Sequence, residues 1–269
     1  MYQFCRRLVA LWLRIMVRPV QVDAERMPMT GAAIIAPNHG SAIETVMVPA
    51  VIPRKLGHVA KRELFTSRNP FMRLLGWFIH WAGARPMDRS GGRASATSIA
   101  GIVDHVRNGG AAVVFPEGTR SPDGRLYKGK TGVARLALAS GAPVIPVGIV
   151  NNQPRKVKWW PVPIVWRPEV RWGEPIDFSQ WQAGIDDRAV LRHVTDQVMA
   201  AIQDLTGQQY VDVYAASLRS ALAEGREINA VEQDRPGQDN PVPTIRQRPT
   251  QDDLNQIDPT QDQEGQDGR

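Results

Sequence analysis

The sequence predicts an α/β fold, with a largely parallel central sheet flanked by helices, an amphipathic helix before it and a disordered tail after it. Three observations predict this. Short apolar runs alternate with amphipathic stretches along the body of the chain. The first residues combine apolar and arginine positions at helical spacing. From residue 226 onward the chain is rich in Gln, Asp and Pro and holds no aromatic residue. Such a segment buries too little apolar surface to offset its ordering entropy. Three regions follow: 1–19 as an amphipathic membrane-interface helix, 20–225 as the folded domain, and 226–269 as a disordered polar tail.

In chain order, "MYQFCRRLVALWLRIMVRP" reads as a helix ending at Pro19. Phe4, Leu8, Leu11, Trp12 and Ile15 cluster on one face, with Arg6, Arg7, Arg14 and Arg18 opposite. This suits a helix lying in an anionic membrane interface. The plainer alternative is a helix packed on the domain that shows its arginines to water. "AAIIAP" reads as a buried strand and "SAIETVMVPAVI" as the helix after it. "LGHVA" is a strand, "NPFMRLLGWFIHWAG" an apolar helix and "GARPMDR" strand-like. "ASATSIAGIVDHVRNGG" is a helix stopped by Gly109-Gly110. "AAVVF" is a strand, "GKTGVARLALASG" a helix, and "APVIPVGIV" and "EVRW" are strands. "IDDRAVLRHVTDQVMAAIQDL" is a long amphipathic helix, and "YVDVYAASLRSALAEG" reads as another.

The whole chain has 269 residues, 42% hydrophobic, with a net charge of +6 and one cysteine, Cys5. No intramolecular disulfide can form, which fits a reducing compartment. No uncharged apolar run reaches the roughly 18 residues of a membrane span. The tail carries 5 Arg against 10 Asp and Glu, so the body before it holds a net +11. A basic body points to an anionic partner. Neither H-E-x-x-H, paired C-x-x-C nor a Gly-rich phosphate loop is present, so no metal and no bound cofactor is expected.

In such folds the polar groups of a site gather beyond the carboxyl ends of the strands. "AAIIAP" exits at Asn38-His39, with Ser41 and Glu44 following. By itself this has a plain reading: Asn38 or Ser41 as helix N-cap, with Glu44 completing a capping box. A second exit offers Asp88-Arg89, and a third Glu117, Gly118, Thr119 and Arg120. Together they supply a base, an acid partner and anion clamps.

These same residues resemble the glycerolipid acyltransferases that make phosphatidic acid from lysophosphatidic acid. "NHGSAIE" matches the family's N-H-x-S-x-x-D except in its last position, and "FPEGTRS" matches its third motif throughout. "GARPMDR" and "APVIPVGI" fit the second and fourth motifs, and "AKREL" a recurring segment between the first two. The resemblance covers roughly residues 20–205. It implies that His39 is the general base and Glu44 the acid that orients it. It implies that Arg89, Glu117, Gly118, Thr119 and Arg120 serve the phosphorylated acceptor, with Lys61 as a further phosphate contact. The donor would be an acyl-CoA or acyl-carrier protein thioester, the acceptor a lysophospholipid, and the setting the cytoplasmic face of a membrane. The chemistry is coherent: an imidazole base contributes roughly 10²–10⁴-fold, and a carboxylate on its other nitrogen fixes the tautomer.

Ser41 lies in no G-x-S-x-G elbow, Cys5 reads as apolar filler, His58 lies in a strand, His80 among aromatics, and His105 and His193 on helix surfaces. Trp77, Trp81, Trp159, Trp160, Trp166 and Trp172 sit near basic residues, as a headgroup contact or as core. Two rivals to the enzyme are a membrane lipid binder without catalysis and a nucleic-acid binder. The intact motifs weigh against the first, and the placing of the arginines within them against the second.

Overall fold

Every residue of "AIIAP" is buried in the computed structural model, as a strand covered on both faces requires. The structure describes residues 2–41, 43–54, 56–61, 84–87, 93–152, 165–226 and 231–244. This strand, β2 (Ala33–Pro37), is central in a seven-stranded sheet. The others are β1 (Val20–Val22), β3 (Leu56–Lys61), β4 (Ala84–Met87), β5 (Ala111–Val113), β7 (Val144–Val150) and β8 (Glu169–Trp172), in the order β1-β8-β7-β2-β5-β3-β4. β7, β2, β5, β3 and β4 run parallel, and β8 meets β7 antiparallel. The sheet is thus largely parallel, as expected.

Period-two alternation along β2 splits the core into two layers. Ile34 and Ala36 face α3 (Arg93–Arg107), α4 (Gly132–Ser140) and α5 (Arg188–Thr206), joining Val106, Val133, Val194 and Val198. Ala33 and Ile35 face the opposite side, with Leu13 and Val17 at the first helix, α1 (Tyr2–Met16), and Met47 and Val48 of α2 (Glu44–Val51). α1 is therefore part of the folded body rather than an appendage. Leu13, and Val17 just after the helix, are buried, whereas Leu11, Trp12 and Ile15 of the expected apolar face are half exposed, at 55%, 50% and 56%.

A second, three-stranded sheet corrects two expectations. β6 (Leu126–Tyr127) pairs parallel with β9 (Tyr210–Val211), and β9 pairs antiparallel with β10 (Glu232–Gln233). "YVDVYAASLRSALAEG" therefore opens as a strand before α6 (Ala215–Ala223), because Tyr210 and Val211 are both buried beside β6. The tail is not disordered from residue 226: residues 231–244 dock on the body. Polar partners take the place of apolar burial there. Glu232 holds Arg125 and Gln209, Arg235 holds Asp204, and Asn240 donates to Asp196. Residues 245–269, the apolar helix expected over 69–83, and Trp77, Trp81, Trp159, Trp160 and His80 lie outside the described residues.

One open reading is decided and another changes. Trp172 is core, while Trp166 is 49% exposed with the Arg18 guanidinium 5.1 Å from its ring. His105 is not on a surface: its ring tucks against Gly57 and Gly110, where a Cβ would meet it at 2.8 and 2.4 Å.

Candidate active site

β2, β5 and β7 lie side by side, so their carboxyl ends deliver three loops to one place. From β2 come Asn38, His39 and Gly40. From β5 come Phe115 to Arg120. From β7 come Asn151 and Asn152.

Asn38 is a clamp rather than a helix cap. Its side chain continues the ladder to β7, accepting from the Ile149 N–H at 2.7 Å and donating to the Ile149 carbonyl at 3.0 Å. That fixes where β2 ends and the histidine begins. His39 Nδ1 then lies 2.9 Å from Glu44 Oε2. Glu44 opens α2 and is fully buried. Its carboxylate accepts from the backbone N–H groups of Gly40 and Ser41, at 3.0 and 2.8 Å, and from the Asn152 amide. The bond from Ser41 N–H resembles half of a capping box, but Ile43 rather than Ser41 stands at the N-cap, so the expected capping box does not form. The extra methylene of Glu over Asp is absorbed because the helix starts at Glu44 itself, not at Ser41. With Nδ1–H donating to Glu44, Nε2 is left as the basic nitrogen. The ring stacks on Phe115, centroids 4.2 Å apart.

The third-strand loop divides its labour. Glu117, expected at the acceptor, is buried and turned inward. Its Oε1 accepts from His39 N–H at 2.8 Å and its Oε2 from Tyr127 N–H at 3.3 Å. Burial pushes its carboxyl up to about 8, against the lowering effect of those two N–H groups, and the Glu44 charge adds to the rise. It braces the His39 backbone from behind. Gly118 adopts φ +69 in the turn that follows, and a Cβ there would stand 3.0 Å from the Lys130 stem. Only glycine takes both the backbone and the contact without strain. Thr119 is half-buried, while Arg120 and Lys130 are exposed, with no side-chain partner among the described residues. Ser121 N–H donates to the His39 carbonyl at 2.7 Å, tying the two loops together.

Lys61 ends β3, one strand beyond β5. Asp88 and Arg89 lie outside the described residues. Sequence reasoning missed Asn152, Phe115 and Lys130. The strand-exit rule applied to "APVIPVGIV" would have reached Asn152. Among the described residues, no group of three or more His, Cys, Asp or Glu is placed to hold a metal ion.

A parallel α/β sheet with a histidine–carboxylate pair at one strand exit and E-G-T-R at its neighbour defines a class. Residues 19–150, just under half of the chain, match the family model described as Acyltransferase. Two relatives share one name. A 1-acyl-sn-glycerol-3-phosphate acyltransferase of Cocos nucifera is 25% identical over 80% of this chain and 64% of its own length. Another, of Limnanthes alba, is 32% identical over 65% of this chain and 61% of its own. The chain thus spans just over three fifths of those relatives. The crystal structure of the 1-acyl-sn-glycerophosphate acyltransferase PlsC from Thermotoga maritima superposes with a TM-score of 0.56 at 22% identity, covering 76% of each chain. At that identity the likeness shows the shared fold.

Proposed function

We propose that the chain transfers a fatty acyl group from an acyl thioester to the free hydroxyl of 1-acyl-glycerol 3-phosphate, forming phosphatidic acid. The observation that carries this is the His39–Glu44 pair at 2.9 Å, with Arg120 exposed in the loop after β5 and Lys130 exposed just before α4. Neutral His39 takes the hydroxyl proton on Nε2 as the oxygen attacks the thioester carbonyl. Glu44 holds the ring and stabilises the imidazolium. The tetrahedral intermediate expels the thiolate, which takes the proton back from Nε2, so the base is regenerated. The exposed cations suit the acceptor phosphate, and an arginine pairs with it bidentately. The curated relatives' shared name supports this acceptor over other lysophospholipids or glycerol 3-phosphate. The donor is acyl-CoA or acyl-carrier protein, with no further cofactor.

The same proposal places the enzyme on the cytoplasmic face of a membrane, as a peripheral or monotopic protein. No helix among the described residues is long and apolar enough to cross one. α1 instead presents Leu11, Trp12 and Ile15 outward, near exposed Arg14, Arg18 and Trp166.

The test uses purified full-length protein with lysophosphatidate and acyl-CoA in detergent micelles. Phosphatidic acid should form, and His39→Ala should lower kcat by at least about 100-fold. Replacing lysophosphatidate with a lysophospholipid whose phosphate is esterified should cost most of the activity. Equal turnover of both acceptors would overturn the headgroup assignment, and wild-type turnover by His39→Ala would overturn the base.

A further inference from the structure

We propose that Asn152 is a positioning residue, which turns the Glu44 carboxylate so that one oxygen is kept for His39. The inference rests on His39 being the base. Glu44 has two oxygens and a full set of donors. Oε1 accepts from Ser41 N–H at 2.8 Å, from Gly40 N–H at 3.2 Å and from the Asn152 amide. Oε2 accepts from Gly40 N–H at 3.0 Å and faces His39 Nδ1 at 2.9 Å. Asn152 is thus the one side chain besides His39 that touches this carboxylate among the described residues. It sits on the oxygen that His39 does not use.

The chemistry assigns the amide's orientation. A carboxylate that accepts from two backbone N–H groups needs a donor from Asn152, so the NH₂ end faces it. Asn152 and Glu44 are both buried, so no water competes for the contact. A neutral donor suits the place: it saturates Oε1 without cancelling the charge that the imidazolium needs. A lysine or arginine there would compete with His39 for the carboxylate. The room is shaped for this residue. A Cβ added at Gly40 would stand 2.6 Å from Asn152 Nδ2, so the glycine between His39 and Ser41 leaves the amide its path to Glu44. The longer acid needs the help. A glutamate carboxylate has one more rotatable bond than an aspartate's, and the Gly40 N–H lies within reach of both oxygens, so the backbone alone leaves rotation about Cγ–Cδ weakly determined. Asn152 reaches it from the neighbouring strand β7, whose register with β2 is set by Pro37 opposite Val147.

The experiment compares Asn152→Ala and the isosteric Asn152→Asp with the wild-type chain. It uses lysophosphatidate and acyl-CoA, with thermal unfolding measured in parallel. Loss of one donor to a charged group should lower kcat about 10-fold, with KM for both substrates within about 2-fold of wild type. Asn152→Asp keeps the shape but faces Glu44 with a second carboxylate, so its kcat should be no higher than that of Asn152→Ala. Wild-type kcat in Asn152→Asp would overturn the proposal, since shape alone would then suffice. Loss expressed only in KM, or only in proportion to the unfolded fraction, would overturn it too. His39→Ala separates this from the reading beneath it. If His39→Ala is inactive while Asn152→Ala turns over normally, the base stands and the positioning role falls. If His39→Ala is active, both fall.

Discussion

Glu117 shows how a motif residue can turn inward and tie two backbone segments together. Its two oxygens join the N–H of His39 at one strand exit to the N–H of Tyr127 at the start of the small sheet. A carboxyl raised from 4.5 to about 8 binds its proton more tightly when folded than when unfolded. Its contribution to stability is therefore full below about pH 4.5 and is lost as pH climbs through about 8. Glu117→Gln does not titrate. The thermal midpoint of the wild type, measured relative to Glu117→Gln, should fall steadily from about pH 5 to about pH 8. A constant difference across that range would mean that Glu117 keeps one protonation state. His39 and Glu44 were legible at this scale because they lie within one short motif. Asn152 was not. It meets Glu44 across 108 positions, and only the adjacency of β2 and β7 makes them neighbours.

At the scale of elements, the docked part of the tail is the clearest departure from expectation. Composition measures how much apolar surface a segment can bury, and by that measure 231–244 should not order. It orders because β9 offers an open edge and α5 a row of polar partners. Two of the tail's contacts, Arg125–Glu232 and Arg235–Asp204, are ion pairs with solvent-exposed groups, each worth at most about 1 kcal/mol. Ending the chain at residue 230 should therefore lower the thermal midpoint by only a few degrees, since about 1 kcal/mol shifts a chain of this size by about 2–4 °C. Arg125 would lose Glu232 but keep Asp123 and Tyr127, so the loop beside the site should hold. A collapse of cooperative unfolding in the truncated protein would show that the small sheet depends on β10 far more than its pairing suggests.

For the whole molecule, charge and apolar exposure have to be read together. The body is strongly basic, and α1 carries half-exposed Leu11, Trp12 and Ile15 beside Arg14 and Arg18. Deleting α1 would be an ambiguous probe of membrane binding, because Leu13 and Val17 belong to the core. Replacing Leu11, Trp12 and Ile15 together with serine leaves that core alone. This variant should sediment less with vesicles containing anionic lipid, while keeping its activity in detergent micelles. The residual binding should fall further as salt rises. Unchanged sedimentation would remove α1 from the membrane-binding surface.

By itself the sequence determined the alternation of the main strands and helices, the central buried strand and the pairing of His39 with Glu44. Hydrophobic periodicity and a short motif are both local properties, so they survive without coordinates. Only the tertiary structure decided which strands are neighbours. That put Asn152 on the carboxylate of Glu44, turned Glu117 inward to brace His39, and brought Leu13 and Val17 into the core. The physical reason is the same in each case. A helical or strand pattern says which residues share a face, while strand order and packing decide what that face meets.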